Sequence, residues 1–261
     1  DGLGKQTNFE YSKLNQYQNY VLDTTQNYPL VNFGAPISVV SKFESENGFG
    51  TWNTISYNYE NAIHHKQGKG FLNFEKTIAK NLINNSRNES SLLDYDNTHF
   101  IPKVNNVKSF LNDNLINSTT IYNTITNKGN QRYAIQAIGQ LETDHLRNTT
   151  RQSIYSWSNE GNIMTELQNN GDETSNTFYL YEQHGSHIKN VLTKSISTIT
   201  RINEQGITKN VSLEYYDDGS LKRQVEFKNL AKEVVSEYEY DDFGNQIKST
   251  ISANNIPSVS K

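Results

Sequence analysis

The sequence predicts an all-β fold of antiparallel β-hairpins, and three observations carry that prediction. Apolar and polar residues alternate with a period of two, glycine and aspartate interrupt the alternation at short intervals, and the apolar runs are short. Alternation of this kind is typical of strands that bury one face and expose the other to solvent. We therefore expect a long antiparallel sheet with at most one short helix.

The composition excludes several classes of protein. Hydrophobic residues make up 34% of the 261 positions, against roughly 45–50% in ordinary globular domains, which disfavours a deep-cored enzyme. A net charge of −4 lacks the signature of disorder and gives no support to nucleic-acid binding. The absence of cysteine excludes disulfides and thiolate sites, and no apolar run approaches the ~20 residues that span a bilayer.

The alternation is clearest in the last third of the chain. One run from Ile207 to Tyr215 is interrupted by Asp217-Asp218-Gly219, and alternation resumes from Leu221 to Phe227. Glycine supplies positive φ and aspartate tolerates the left-handed region, so such clusters favour tight turns. The alternation of apolar and polar residues stops and resumes across several glycines, which predicts hairpin tips at Gly161, Gly206, Gly219 and Gly244.

Weaker alternation predicts further strands in the first two thirds. Residues 55–59 and 72–78 alternate on either side of a Gln67-Gly-Lys-Gly70 turn, and residues 133–141 form another run. Tyr155 and Trp157 precede a turn that contains Gly161. These patterns extend the predicted hairpins over most of the chain.

The pattern fails between residues 81 and 117. Val104, Val107, Leu111 and Leu115 have helical spacing there, which predicts one short helix or a variable loop. We therefore divide the chain into a β-rich segment, residues 1–80, a variable connection, residues 81–130, and hairpin repeats, residues 131–261, all within one continuous segment.

A degenerate repeat runs through the hairpins. An aromatic or strand residue is followed by two or three turn residues, a glycine and a short strand, at irregular intervals. Units of this kind bury their faces by stacking on neighbours. The residues assigned to structural turns and repeats are Tyr240, Asp241, Gly244, Tyr216, Asp217, Gly219, Gly206, Trp157, Gly161 and Gly70.

These repeats resemble a known family. The segment Tyr240-Asp241-Asp242-Phe-Gly244-Asn245 resembles the tyrosine-aspartate repeat of Rhs/YD-repeat proteins, and Tyr216-Asp217-Asp218-Gly219 is similar to it. Within residues 1–80, Asn47-Gly-Phe-Gly50 and Gln67-Gly-Lys-Gly70 resemble the section that leads into the repeats in B components of bacterial insecticidal toxin complexes. The resemblance covers nearly the whole chain except residues 81–130.

The resemblance implies a sheet that spirals into a hollow β-shell, which in relatives encloses a C-terminal effector. It also implies a bacterial product that is secreted or displayed at the cell surface. The implied partners are the rest of a larger chain and an enclosed effector or a surface protein. The Asp-Pro-rich self-cleavage signature of relatives is absent from this sequence. We therefore expect an internal stretch of shell whose exposed strand edges cause self-association in isolation.

Candidate metal sites have weak support in the sequence. His184-Gly-Ser-His187 offers two ligands with no third nearby, and a polar hairpin tip is favoured. Asp94-Tyr-Asp96-Asn97 lacks the glycine and the late glutamate of a calcium loop. His64 and His65 point to opposite faces if that segment is a strand. We predict no metal and no cofactor.

Candidate catalytic groups are also better explained as structure. The pairs Asp217-Asp218 and Asp241-Asp242 lie beside turn glycines, where aspartate is favoured for its turn geometry. Gln67-Gly-Lys-Gly70 lacks the following Ser or Thr and helix of a phosphate loop. No Gly-x-Ser-x-Gly elbow occurs. We predict no catalytic residue.

Three functional hypotheses remain open at this point. The first is a non-catalytic scaffold, a β-shell segment that encloses, carries or displays another polypeptide. The alternative is a cell-surface adhesin or binding module that recognises glycan or a partner protein through exposed tyrosines. An enzyme is the least supported of the three.

Overall fold

The protein is almost entirely β-structure. The computed structural model describes residues 6–22, 26–92, 98–130, 132–185, 188–228, 230–253 and 256–260. Within these ranges the chain forms 19 strands and one turn of 3-10 helix, Leu14–Gln16. The prediction of an all-β, antiparallel fold with at most one short helix is confirmed. No helix in the described ranges is long and apolar enough to cross a membrane.

The strands follow one another with short connections. The first nine are β1 (Thr7–Lys13), β2 (Tyr20–Val21), β3 (Leu30–Asn32), β4 (Ser38–Glu46), β5 (Trp52–His65), β6 (Gly70–Asn81), β7 (Ser86–Ser91), β8 (Asn106–Leu111) and β9 (Asn114–Asn127). The other ten are β10 (Tyr133–Asp144), β11 (Thr149–Trp157), β12 (Ile163–Asn169), β13 (Glu173–His184), β14 (Ile188–Arg201), β15 (Ile207–Tyr215), β16 (Leu221–Glu226), β17 (Val234–Tyr240), β18 (Gln246–Ala253) and β19 (Ile256–Ser260).

The chain divides into two compact units. The first contains residues 1–123 and 140–150, and the second contains residues 124–139 and 151–261. The expected three-part division at residues 80 and 130 stays a prediction.

In the first unit, β5 is the central strand. β4 pairs with its first half, while β2 and β3 pair with its second half, β2 in the parallel direction. β1 pairs with β4, and β5 to β9 pair in consecutive antiparallel order. The core of this unit lies over β5, where Leu14, Val39, Tyr59 and Ala62 are buried together.

The second unit is a consecutive antiparallel meander. From β11 to β19 each strand pairs with the next strand along the chain. Val225 is the one hydrophobic side chain buried in its described part, with 2% of its surface exposed. A thin sheet of this kind fits the low apolar content, because most of its side chains are half-buried or exposed.

The helix predicted within residues 104–117 is wrong. Strand β8 runs to Leu111 and β9 begins at Asn114, so a two-residue turn joins them. Asn112 and Asp113 in that turn have φ of 48° and 61°, which is the left-handed geometry of a type I′ hairpin. The apolar residues happen to have helical spacing, but the turn residues determine the structure.

Candidate functional site

Four hairpin tips of the second unit lie at the same end of its strands, after β11, β13, β15 and β17. Three of them share one five-residue geometry: the first N–H donates to the fifth carbonyl, and the fourth N–H donates back to the first carbonyl. The N–O distances are 2.8 and 3.1 Å in 158–162, 2.9 and 2.8 Å in 216–220, and 2.9 and 3.0 Å in 241–245. The same hydrogen-bonded turn geometry therefore occurs in three hairpins of the second unit.

The fourth residue of each shared turn is a glycine predicted from the sequence. Gly161, Gly219 and Gly244 have φ of 95°, 90° and 82°. Only glycine adopts this region without a steric cost, so these three positions set the turn.

The two other predicted glycines have different roles. Gly70 has φ of 74° and is the first residue of β6 in the first unit. Gly206 lies between β14 and β15, but the left-handed residue of that connection is Asn203, with φ of 62°. A Cβ on Gly206 would lie 3.0 Å from Thr200 Oγ1. Gly206 therefore lies in a hairpin connection, as predicted, but it allows close packing there and does not supply the positive φ.

An aromatic residue precedes the tip glycine by four positions in all four tips. The pairs are Trp157 with Gly161, Tyr181 with Gly185, Tyr215 with Gly219, and Tyr240 with Gly244. The turn and repeat residues predicted from the sequence include Tyr216, but neither Tyr215 nor Tyr181. The spacing aromatic-x-x-x-glycine was the pattern that could have found both.

Two of these aromatic residues bond to the preceding strand. Trp157 Nε1 donates to the carbonyl of Ala137 on β10 at 2.7 Å. The Tyr215 hydroxyl donates to the carbonyl of Leu192 on β14, also at 2.7 Å, and burial raises the pKa of this hydroxyl. These side chains connect neighbouring strands beyond the ordinary backbone ladder.

A series of contacts then connects one tip to the next. His184 Nε2 lies 2.6 Å from the carbonyl oxygen of Tyr216, and the Tyr216 hydroxyl donates to the carbonyl of Tyr238 at 3.0 Å. The Tyr216 and Tyr240 rings meet edge to face, with 6.2 Å between centroids. We call His184, Tyr216, Tyr238 and Tyr240 the tip ladder. It joins three successive hairpins.

The tip aspartates stabilise their own turns. Asp241 Oδ1 accepts hydrogen bonds from the backbone N–H groups of Phe243 and Asn245, at 2.9 and 2.8 Å. The side chain of Asn245, and then these N–H groups, lower the pKa of Asp241. In the preceding tip Asp218 takes this role through Ser220, whose hydroxyl lowers the pKa of Asp218. Asp217, assigned to the turn from the sequence, lies within the turn of residues 216–220, but its carboxylate makes no hydrogen bond to a described residue.

The candidate metal ligands are not assembled in the described ranges. No group of three or more His, Asp or Glu side chains there could hold a metal ion. His187 and residues 94–97 lie outside the described residues. In the first unit His64 stacks on Phe33 with 5.3 Å between ring centroids, and His65 is buried against Phe100 at 4.5 Å.

One open cavity of about 560 Å³ is lined by residues of the tips after β15 and β17. Its lining includes four carboxylates, from Asp217, Asp218, Glu239 and Asp241. Two of these cap turns, and Glu239 pairs with Lys248 at 2.6 Å. Three of the four acids therefore already bind groups of their own chain.

Several tyrosine hydroxyls of the first unit also point inward. The hydroxyls of Tyr20 and Tyr59 donate to the carbonyls of Phe33 and Val40, at 2.8 and 2.7 Å. Burial, followed by the nearby Tyr17 and Tyr57, raises the pKa of Tyr59 to about 12. Tyrosine in this chain thus joins backbone segments in both units.

Comparison with known proteins reveals the fold but no sequence family. No protein-family model and no curated protein matches the sequence. The solved structures similar to it include the TcdB2-TccC3-Cdc42 complex, with a TM-score of 0.57 and 7% identity over 88% of this chain. TcdB2-TccC3 without its hypervariable C-terminal region gives a TM-score of 0.58 and 8% identity, also over 88% of this chain.

The likeness covers only a part of those larger chains. This chain spans 20% of the matched chain in the first structure and 19% in the second. At such low identity the likeness concerns the backbone and not particular side chains. The chain therefore has the fold of a segment of TcdB2-TccC3.

Proposed function

We propose that this chain is a non-catalytic structural segment of a larger Rhs/YD-repeat protein. It would form part of a β-shell that encloses, carries or displays another polypeptide. The observation that carries the proposal is the tip ladder, in which His184 and Tyr216 connect successive hairpins. Contacts of this kind join neighbouring hairpins of a sheet, which is a structural role and not a catalytic one.

The chemical state of the tip residues supports a structural role. Catalytic side chains are expected to converge on one pocket, with a nucleophile, a base and an orienting group within hydrogen-bond reach of one another. Here Asp218 and Asp241 cap turns, and Trp157 and Tyr215 donate to backbone carbonyls. We assign no catalytic residue and no cofactor to this segment.

The proposed partners are the rest of the larger chain and a polypeptide held by the shell. A segment that spans about a fifth of the matched chains would need further segments to complete a wall. The structure that lacks the hypervariable C-terminal region still matches 88% of this chain, with a TM-score of 0.58. The likeness therefore lies outside that region. From the family resemblance we propose a secreted or bacterial cell-surface location.

The alternative is a surface module that binds glycan or a partner protein through exposed tyrosines. Tyr11, Tyr28 and Tyr122 are more than half exposed and are the residues that this alternative requires. The hydroxyls of Tyr20, Tyr59, Tyr215 and Tyr216 instead donate to backbone carbonyls of their own chain, which supports the structural role.

Protease protection tests the proposal in the full-length protein that contains this chain. We expect a segment outside these 261 residues to resist proteinase K in the native protein. Protection should decrease in a Tyr215→Ala, Tyr216→Ala variant and persist in a Tyr122→Ala control, because Tyr122 is exposed. A native protein in which no segment outside this chain is protected would contradict the proposal.

A further inference from the structure

A polar cleft lies in the first unit, between residues 16–19 and strands β1, β4 and β5. Its volume is about 440 Å³. The lining consists of serine hydroxyls, glutamine and asparagine amides, the Tyr17 side chain and the ion pair of Lys42 with Glu10, at 2.8 Å. No aliphatic side chain lines it. Ligand sites commonly have 300–1,000 Å³ and apolar walls, so this cleft has the size of a site but an unusually polar lining.

The segment that forms one wall is anchored at every third residue. Leu14 is fully buried, the Tyr17 hydroxyl donates to the carbonyl of Tyr57, and the Tyr20 hydroxyl donates to that of Phe33 at 2.8 Å. The 3-10 helix ends at Gln16 and the chain is extended at Tyr17. The residues between the anchors, 15–16 and 18–19, are exposed.

Two of these intervening residues present amides that have no partner among the described residues, whereas Asn19 Nδ2 donates to the Tyr17 hydroxyl at 3.4 Å. Gln16 and Gln18 are exposed, and their side chains make no hydrogen bond to a described residue. Their backbone is held by bonds from Tyr17 N to Leu14 O and from Tyr59 N to Asn19 O, each 3.2 Å long. A fixed backbone removes the backbone part of the ordering cost on binding, while the immobilisation of each glutamine side chain still opposes binding.

The chemistry of the lining indicates a neutral ligand rich in hydroxyls. An amide both donates and accepts hydrogen bonds, and so does a hydroxyl, so the two match. Lys42 is held by Glu10 and also by Glu44, at 3.0 Å, so no cation is left for an anionic ligand. The Tyr17 ring adds an apolar surface for the C–H face of a sugar.

We propose that this cleft binds a neutral saccharide of about disaccharide size. The inference goes beyond the shell function and does not depend on it. Gln16, Gln18 and Asn19 would supply the hydrogen bonds, and Tyr17 would supply the contact with the ring.

Calorimetric titration of the 261-residue chain with maltose, cellobiose and N,N′-diacetylchitobiose tests the proposal. We expect saturable binding of at least one of them. The Gln16→Ala, Gln18→Ala variant should bind at least ten-fold more weakly, which corresponds to about 1.4 kcal/mol. A Gln152→Ala, Gln246→Ala variant removes two exposed amides outside the cleft and should bind like the wild type.

A second variant separates binding from folding. Gln16→Glu keeps the shape of the side chain but replaces its donor, and it should weaken binding while the unfolding midpoint stays that of the wild type. The proposal is overturned if none of the three sugars binds saturably, or if both amide variants bind equally well. Tighter binding of an anionic heparin disaccharide than of any neutral sugar would also overturn it.

Discussion

At the scale of single residues, side chains that bond to the backbone hold the second unit together. Its described part buries one hydrophobic side chain, Val225, so hydrophobic burial contributes less than in an ordinary core. Trp157 and Tyr215 donate to carbonyls of neighbouring strands instead. Removing one such donor leaves a carbonyl without its partner, which costs more than the bond itself contributes.

The first prediction concerns the Tyr215 hydroxyl. Tyr215→Phe removes the bond to the Leu192 carbonyl and should lower the free energy of unfolding by about 1 kcal/mol. Urea denaturation measures the change. Tyr122→Phe is the matched control, because Tyr122 is 52% exposed, and it should leave the free energy unchanged. Equal effects of the two substitutions would contradict the role of the Tyr215 bond.

The second prediction concerns the tip glycine. Gly219→Ala places a Cβ at φ of 90° and should destabilise the protein by about 1–3 kcal/mol, because this region is strained for other residues. Gly34→Ala is the control: its φ is not in the left-handed range, and the new Cβ would make an ordinary 3.9 Å contact with Leu22. Thermal unfolding compares them, and a neutral Gly219→Ala would show that the turn geometry is wrong.

The third prediction concerns pH. Hydrogen bonds from Asn245 and the backbone lower the pKa of Asp241 in the folded protein. The stabilisation is therefore present above the unfolded pKa of about 4 and is lost as pH falls through the lower folded pKa. Asp241→Asn should reduce the urea midpoint at pH 6, and the difference from wild type should shrink toward pH 2.

The neighbouring Asp242 provides the control for this titration. Its carboxylate accepts no hydrogen bond from a described residue, so Asp242→Asn should leave the urea midpoint at pH 6 close to that of the wild type. If the two variants lower the midpoint at pH 6 equally, the hydrogen bonds to Asp241 do not contribute to stability.

At the scale of elements, the sequence predicted the hairpins whose strands alternate and missed those that lack apolar residues. The interruptions of the alternation at Gly161, Gly219 and Gly244 coincide with turns in which these glycines have positive φ. Strand β7 has the sequence Ser-Arg-Asn-Glu-Ser-Ser and no apolar residue, so no alternation marks it. It is held by its neighbours and by cross-strand ion pairs such as Glu89 with Lys76 on β6, at 3.6 Å. Such tertiary partners cannot be read from a local pattern.

The residues of the candidate site also divide into those that a local sequence pattern predicts and those that depend on distant parts of the chain. Asp241 and Gly244 could be assigned from the repeat, because a turn is a local structure. The contact of His184 with the Tyr216 carbonyl joins residues that are far apart in sequence, and no spacing rule indicates it. The polar cleft of the first unit could not be predicted for the same reason, because β1, β4 and β5 come together only in the folded unit.

The fourth prediction belongs to the hairpin as an element. His184→Ala removes the contact between the tip after β13 and the tip after β15. Amide hydrogen exchange should accelerate in residues 216–220 and stay unchanged in residues 158–162. Gln183→Ala is the control, because Gln183 bonds to the Gly185 carbonyl within its own tip at 2.9 Å. Unchanged exchange in residues 216–220 would remove His184 from the tip ladder.

At the scale of the whole molecule, the chain has the fold of a segment of much larger chains. The chain matches about a fifth of the TcdB2-TccC3 chains with 7% to 8% identity. A sheet can keep its backbone at such low identity because backbone hydrogen bonds and turn glycines, rather than particular core side chains, define it. This is the physical basis for proposing a structural segment.

A cryo-electron microscopy structure of the full-length protein tests the central claim most directly. The account predicts that strands β11 to β18 form part of a continuous β-wall, with density for another stretch of polypeptide against one face. Strands with solvent on both faces and no further polypeptide against them would contradict it.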